Sequence, residues 1–481
     1  MRPDRKRRLV LAVAGIIIVA FALSPSAVRA QKDPNALKFA DLEFKAQKPG
    51  MTAIKKGVTF YFKEDHEQPV IKGTIIIKTG TLYEPADKVG LAPLAMRMLK
   101  AGGTKTLTAD ALEEKLDFLG STIGSFAGLE YSEISLWTLS KNFDETWKVL
   151  LDILYNPAFD PARFDTEKKK DLESIRRRFD YPTSLGFTLY TELIFGKDFP
   201  ETRRTTSAGI NALTLDDIQT FYEKNIRDKE IIIAFTGDFK QAQAQTLLKK
   251  DLKNWKGIPP AKLDLPKAAL AAKPGVYLID KPDMTQSVII MGHLGLNNLD
   301  PDNVEVAIFN FILGTGSFNS RLMREVRSNR GLAYATGGMI GLGRDKGMFN
   351  NFCMTKSQSV GEAIKLMKDI TEDMTKNPVT AGELEVAKKY EVNAFVHKFD
   401  SAQAVVSQAI YLKLDGYPDN HLDTYLPRIR KVDTAKVLAI GKKAVHPDDM
   451  VILVVGKKAE VIDQLKALGM GEVTELPMPK E

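Results

Sequence analysis

A faint internal repeat with a period near 220 residues constrains this chain more than any other feature. The segment GVTFYFKED begins at Gly57 and GVYLIDKPD at Gly275, an offset of 218. A helix-like stretch opening with Asn-Pro begins at Asn156 and again at Asn377, an offset of 221, and an apolar strand reaches its glycine at Gly237 and again at Gly456, an offset of 219. The period is far too long for a solenoid, whose units run roughly 20–50 residues. One unit is therefore written twice, and each copy must bury its own core.

Within each copy the order of patterns is alike. A hairpin rich in β-branched and aromatic residues comes first, then stretches with apolar residues at three- and four-residue spacing, such as LAPLAMRMLKAG and ADALEEKLDFLG. A second strand pair, further helices, a last apolar strand and a closing helix complete it. Strands and helices that do not alternate strictly predict an α+β fold, with a mostly antiparallel sheet packed against helices in each copy. Between the copies, residues 256–275 hold four prolines and a run of small residues. Proline fixes φ and removes amide donors, so this reads as an extended linker, with the boundary near residue 265. The expected organisation is a leader at 1–30, a first domain at 31–255, the linker, and a second domain at 276–481.

The leader reading rests on a basic MRPDRKRR, a short apolar run, and small residues at Val28 and Ala30 ahead of Gln31. This is the pattern of a secretory signal, and the apolar run is short for a membrane span of about 20 residues. It predicts a periplasmic or secreted protein, with an uncleaved N-terminal anchor as the alternative. Residues 1–30 carry six Lys or Arg and one Asp, so their removal lowers the formal charge from +7 to +2. So small an excess implies no nucleic-acid partner. Cys353 is the single cysteine, so no intrachain disulfide is available.

Chemistry concentrates in residues 314–338, GTGSFNSRLMREVRSNRGLAYATGG. This stretch resembles the second-domain signature of the M16 (insulinase/pitrilysin-type) zinc peptidases, in which an Arg and a Tyr seven residues apart contact substrate close to the zinc. The matching residues are Arg327 and Tyr334. A guanidinium offers planar donors to a peptide carbonyl, and a phenol can donate to a developing oxyanion. Taken alone, Arg327 would be a solvated helix charge and Tyr334 a packed aromatic; the whole motif favours substrate binding.

The same resemblance implies a zinc motif, H-x-x-E-H after G-L-A, in the first copy. This chain reads GLAPLAMRM, with Pro93, Met96 and Arg97 at the three positions. Counting on by the family's spacing, Ser174 stands where the last ligand glutamate is expected, and Glu167 matches an auxiliary glutamate. Glu173 is adjacent to Ser174 but projects about 100° away on a helix. Zinc takes Cys, His and carboxylate, so Pro93, Arg97 and Ser174 do not ligate it, and Met96 cannot act as a base. The five histidines, His66, His293, His397, His421 and His446, include no locally spaced pair. Cys353 reads as a small buried hydrophobe.

The resemblance spans roughly residues 40–470. It implies two duplicated metallohydrolase-like domains and, by analogy with heterodimeric members, a zinc-free subunit. Such a subunit binds unfolded peptide and completes the site of an H-x-x-E-H-bearing M16 partner, which would hold the zinc. The alternative is a structural or peptide-binding homologue with no protease partner.

Overall fold

A computed structural model describes residues 43–481, so the expected leader at 1–30 and its cleavage before Gln31 lie outside the described residues. Lys45–Glu481 form one unit. The first sheet contains β1 (Gly50–Lys55), β2 (Val58–Glu64), β3 (Val70–Ile77), β4 (Thr122–Ala127), β5 (Ser132–Leu139) and β6 (Ile231–Gly237). The second contains β7 (Gly275–Asp280), β8 (Gln286–Leu294), β10 (Ala333–Ile340), β12 (Met348–Lys356), β13 (Val451–Gly456) and β14 (Val473–Leu476). Two short segments, β9 (Leu296–Asn297) and β11 (Leu342–Gly343), pair with each other.

The first sheet runs β1-β2-β6-β3-β5-β4, and the second, read from its other edge, runs β14-β7-β13-β8-β12-β10. Five strands correspond one to one. The parallel pair β2–β6 has its counterpart in β7–β13, and the remaining core pairings are antiparallel. The sixth strand breaks the correspondence: β1 joins β2 antiparallel, whereas β14 joins β7 parallel. Each edge strand comes from beyond its copy's five-strand core, one before it and one after it. The α+β expectation and the repeat are thus both visible as topology.

Strand β6, IIIAFTG, is apolar on both faces, because side chains alternate across a sheet and both of its faces are covered. Ile231, Ile233 and Phe235 point into the first copy's helices together with Ile75, Ile77, Leu94, Trp147 and Leu150. Ile232, Ala234, Ile76 and Tyr61 face the other way, onto Val406 and Ile410. Those two residues belong to helix Ala402–Leu414, which comes from the second copy.

The exchange is reciprocal. Helix Pro182–Phe195, from the first copy, places Leu185, Leu189, Tyr190 and Ile194 against Val288, Ile290, Leu453 and Val455 of the second sheet. Gly186 permits the approach: a Cβ there would stand 3.2 Å from a Val288 methyl and 3.3 Å from the Ile290 Cδ1. Polar contacts secure the opposite exchange, with the Tyr411 hydroxyl donating to Glu133 at 2.9 Å and Thr236 donating to Gln403 at 3.0 Å. Among the described residues no helix is long and apolar enough to cross a membrane.

Burial disfavours the charged form of two ionisable groups, one a base and one an acid. His293 on β8 uses both ring nitrogens, Nδ1 with the Leu294 carbonyl at 2.7 Å and Nε2 accepting the His446 main-chain N–H at 2.9 Å. Burial lowers its pKa to about 4. Glu84 accepts the Ala92 and Gly90 main-chain N–H groups at the start of helix Leu91–Ala101, at 2.6 and 3.2 Å. Burial nevertheless raises its pKa to about 7, the two hydrogen bonds and Arg203 only partly opposing it.

For His293 the unfolded chain binds more protons between about pH 6.5 and 4, so acidification through that window removes about 3 kcal/mol of stability. For Glu84 the native chain binds more protons between about pH 7 and 4.5, so the same acidification adds about 3 kcal/mol. The two contributions have opposite signs. Relative to the unmodified protein, urea unfolding should show stability falling more steeply on acidification in Glu84→Gln and less steeply in His293→Asn; parallel profiles for the two variants would refute the assignment. Separately, Leu185→Ala should cost about 2–5 kcal/mol by emptying the interface between the exchanged helix and the second sheet, measured by the same titration.

Candidate functional site

Helix Leu91–Ala101 carries the positions where the zinc motif is expected. Pro93 lies in its first turn, where an N–H has no partner within the helix, so proline is accommodated. Met96 is fully buried in the first core, and its carbonyl accepts the Ser125 hydroxyl at 2.8 Å. A residue sealed in that way cannot reach a reacting water.

Arg97 turns toward helix Pro161–Arg176. Its Nε donates to Glu167 at 3.2 Å and its Nη2 to Asp171 at 2.6 Å. Glu167 is buried and is also paired with Lys170 at 2.5 Å. A guanidinium thus occupies the place between two acidic side chains that a cation would otherwise fill, and it ties the two helices together. Ser174, further along the same helix, is exposed, and Glu173 is paired with Arg176 at 2.6 Å. Among the described residues no group of three or more His, Cys, Asp or Glu is arranged to hold a metal. Zinc does not fit this donor set.

The histidines have structural surroundings. His293 and His446 are far apart in sequence, yet their rings lie 5.2 Å apart. Both nitrogens of His293 are already committed to the main chain, so the pair is a structural link. Cys353 is fully buried on β12, and burial pushes its thiol up to about 12, which leaves no thiolate at neutral pH.

The structure brings Arg327 and Tyr334 together. Arg327 lies on the helical segment Met323–Asn329, and Tyr334 on β10, which is the edge of its sheet. The guanidinium carbon stands 6.0 Å from the Tyr334 ring centre and 5.3 Å from that of Phe318. Both rings are largely exposed, at 69% and 61%. The polar contact of Arg327 among the described residues is to the Met323 sulfur at 3.9 Å, and no carboxylate pairs with it. Stacking on two aromatic rings holds the guanidinium plane while leaving its N–H donors for an external acceptor. The other arginines of the motif differ: Arg321 is bound to Glu383 and Asp373 at 2.8 and 2.7 Å, and Arg324 to Glu325 at 2.9 Å.

Phe318 was not singled out by sequence reasoning, although it lies within the motif; aromatic character next to glycines carries no sign of what it stacks on. A second group also went unmarked. Arg178, Arg203 and Arg204 converge on a cavity of about 380 Å³ that Glu84 and Pro93 also line.

Comparison with known proteins agrees with the fold. The family model described as Insulinase (Peptidase family M16) matches residues 59–184, and the one described as Peptidase M16 inactive domain matches residues 212–390. A Helicobacter pylori protein named non-peptidase homolog YmxG is 23% identical over 391 residues, 79% of this chain and 87% of that protein. Among solved structures, the peptidase M16 inactive domain from Pseudomonas fluorescens has the same fold at a TM-score of 0.75 and 23% identity, covering 85% of this chain and 98% of that one. The periplasmic protease PqqL from Escherichia coli aligns at a TM-score of 0.68 and 12% identity, covering 90% of this chain and 50% of that one. With two models of one family matched in order along the chain, one of them that of the inactive domain, the protein belongs to peptidase family M16.

Proposed function

We propose that this chain is the zinc-free, substrate-binding subunit of an exported heterodimeric M16 peptidase, completing the site of a partner that bears H-x-x-E-H. The observation that carries this reading is Arg327, whose N–H donors face no carboxylate while two exposed rings, Phe318 and Tyr334, hold its plane. A guanidinium that served only solubility would not need that scaffold. In this reading Arg327 donates to peptide carbonyls, and the Tyr334 hydroxyl donates to the carbonyl oxygen as it gains charge during hydrolysis. The metal belongs to the partner.

The name of the Helicobacter relative favours a second reading, a peptide-binding homologue with no protease partner. The two readings part on turnover. Reconstituted with its H-x-x-E-H partner, a Tyr334→Phe variant should lose about 10²–10³ in kcat with dimer formation unchanged, since one oxyanion donor is removed. Arg327→Ala should also raise KM, because its contact is made to bound substrate and transition state alike. Turnover indifferent to Tyr334→Phe would reduce the chain to a scaffold.

The purified chain alone should bind no stoichiometric zinc and hydrolyse no peptide, as metal analysis and chelator-sensitive assays will report. Activity in isolation should require Pro93→His, Met96→Glu, Arg97→His and Ser174→Glu together, because partial ligand sets leave zinc under-coordinated. One zinc per unmodified chain would overturn the assignment.

A further inference from the structure

The cavity beside Pro93 has a charge balance that the peptide-binding reading does not require. Three guanidiniums meet it: Arg178, Arg203 and Arg204. The acidic groups of its wall are committed elsewhere. Both Glu84 oxygens accept main-chain N–H groups, and Glu201 is paired with Arg344 at 2.7 Å. Arg204 is paired with the buried Glu192. Arg178 donates from Nη2 to Thr205 at 2.5 Å, but its Nη1 is buried without a hydrogen-bond partner. Arg203 faces the same wall, where its charge acts on Glu84 without outweighing that group's burial. Burial and the neighbouring Arg204 charge lower the pKa of Arg178, with Glu481 and Glu192 opposing them. A buried N–H without an acceptor is costly, so the arrangement favours an incoming one.

The chain itself places an acidic residue beside the arginines. Glu481 lies against this group: its main-chain oxygen accepts from Arg204 Nη1 at 3.0 Å, and its carboxylate accepts the Ser207 main-chain N–H at 3.0 Å. The negative charge of Glu481 acts on Arg178 as well.

We propose that Arg178, Arg203 and Arg204 form a carboxylate-binding subsite, so that the peptides this chain takes carry a carboxylate at that position, and that Glu481 competes for it from within the chain. The proposal rests on the peptide-binding reading and names its substrate class. Charge-assisted bonds from guanidinium to carboxylate are the strong ones, and two or three cations around one small cavity select for that charge over a neutral amide. The carboxylate can come from an Asp or Glu side chain or from the end of a peptide.

The test uses the full chain and three fluorescent peptides of otherwise equal sequence: one Glu with an amidated end, Gln with an amidated end, and Gln with a free carboxylate end. Anisotropy titration should show one or both carboxylate peptides binding about tenfold tighter than the neutral one, and which of them does so names the source. Arg203→Gln should abolish the preference for the carboxylate peptides, and urea unfolding of the variant, which also loses the attraction of Arg203 to Glu84, reports on the fold separately. Glu481→Gln should tighten binding of the carboxylate peptides. Equal binding of all three, unmoved by Arg203→Gln, overturns the subsite and leaves peptide binding standing. Failure of every peptide to bind overturns the peptide-binding reading and the subsite with it.

Discussion

A sheet has two faces, and this fold depends on how the second face of each sheet is covered. In both copies one face is packed by helices of the same copy. The other receives a helix from the opposite copy: Ala402–Leu414 lies on β2 and β6, and Pro182–Phe195 on β8 and β13. Without the exchange, Ile76 and Ile232 on one sheet and Val288 and Val455 on the other would face water. Burying such side chains contributes about 1.5–3 kcal/mol each. Neither copy therefore has a complete core alone. The exchanged helices orient the two sheets, and with them the placement of everything attached to them.

The same economy of contacts explains why the first copy holds together without metal. A zinc ion bridging two helices is both a charge and a clamp. Here Arg97 supplies both functions, its guanidinium reaching Glu167 and Asp171 on the facing helix. Glu167 is buried, so losing its cationic partners would leave an uncompensated charge in a poorly solvated place. Met96 adds apolar packing where a catalytic carboxylate would need access to water.

On the second copy the balance is reversed. Arg327, Phe318 and Tyr334 form an exposed stack that contributes little to the core, and the edge strand β10 leaves one side of Tyr334 open. Arg321 and Arg324, in the same motif, are spent on acidic partners. Three arginines within seven residues thus divide between holding the fold and facing outward, and only their surroundings distinguish them.

The sequence by itself determined the duplication, the α+β class and the side-chain chemistry present at Pro93, Arg97 and Ser174. These follow from local facts: hydrophobic period and order of elements for the first two, and the coordination chemistry of the side chains for the third. It also singled out Arg327 and Tyr334, because a motif preserves spacing. Tertiary structure alone decided which sheet each apolar helix would cover. Helices such as PTSLGFTLYTELIF are apolar around most of their circumference, and nothing in that pattern names the partner surface. It alone brought His293 beside His446, turned Arg97 onto Asp171, set Phe318 over Arg327, and gathered Arg178, Arg203 and Arg204 around one cavity. Those partners are separated along the chain or by the turn of a loop. Which of them meet depends on shape and burial across the whole molecule, and a linear pattern records period and spacing but not proximity.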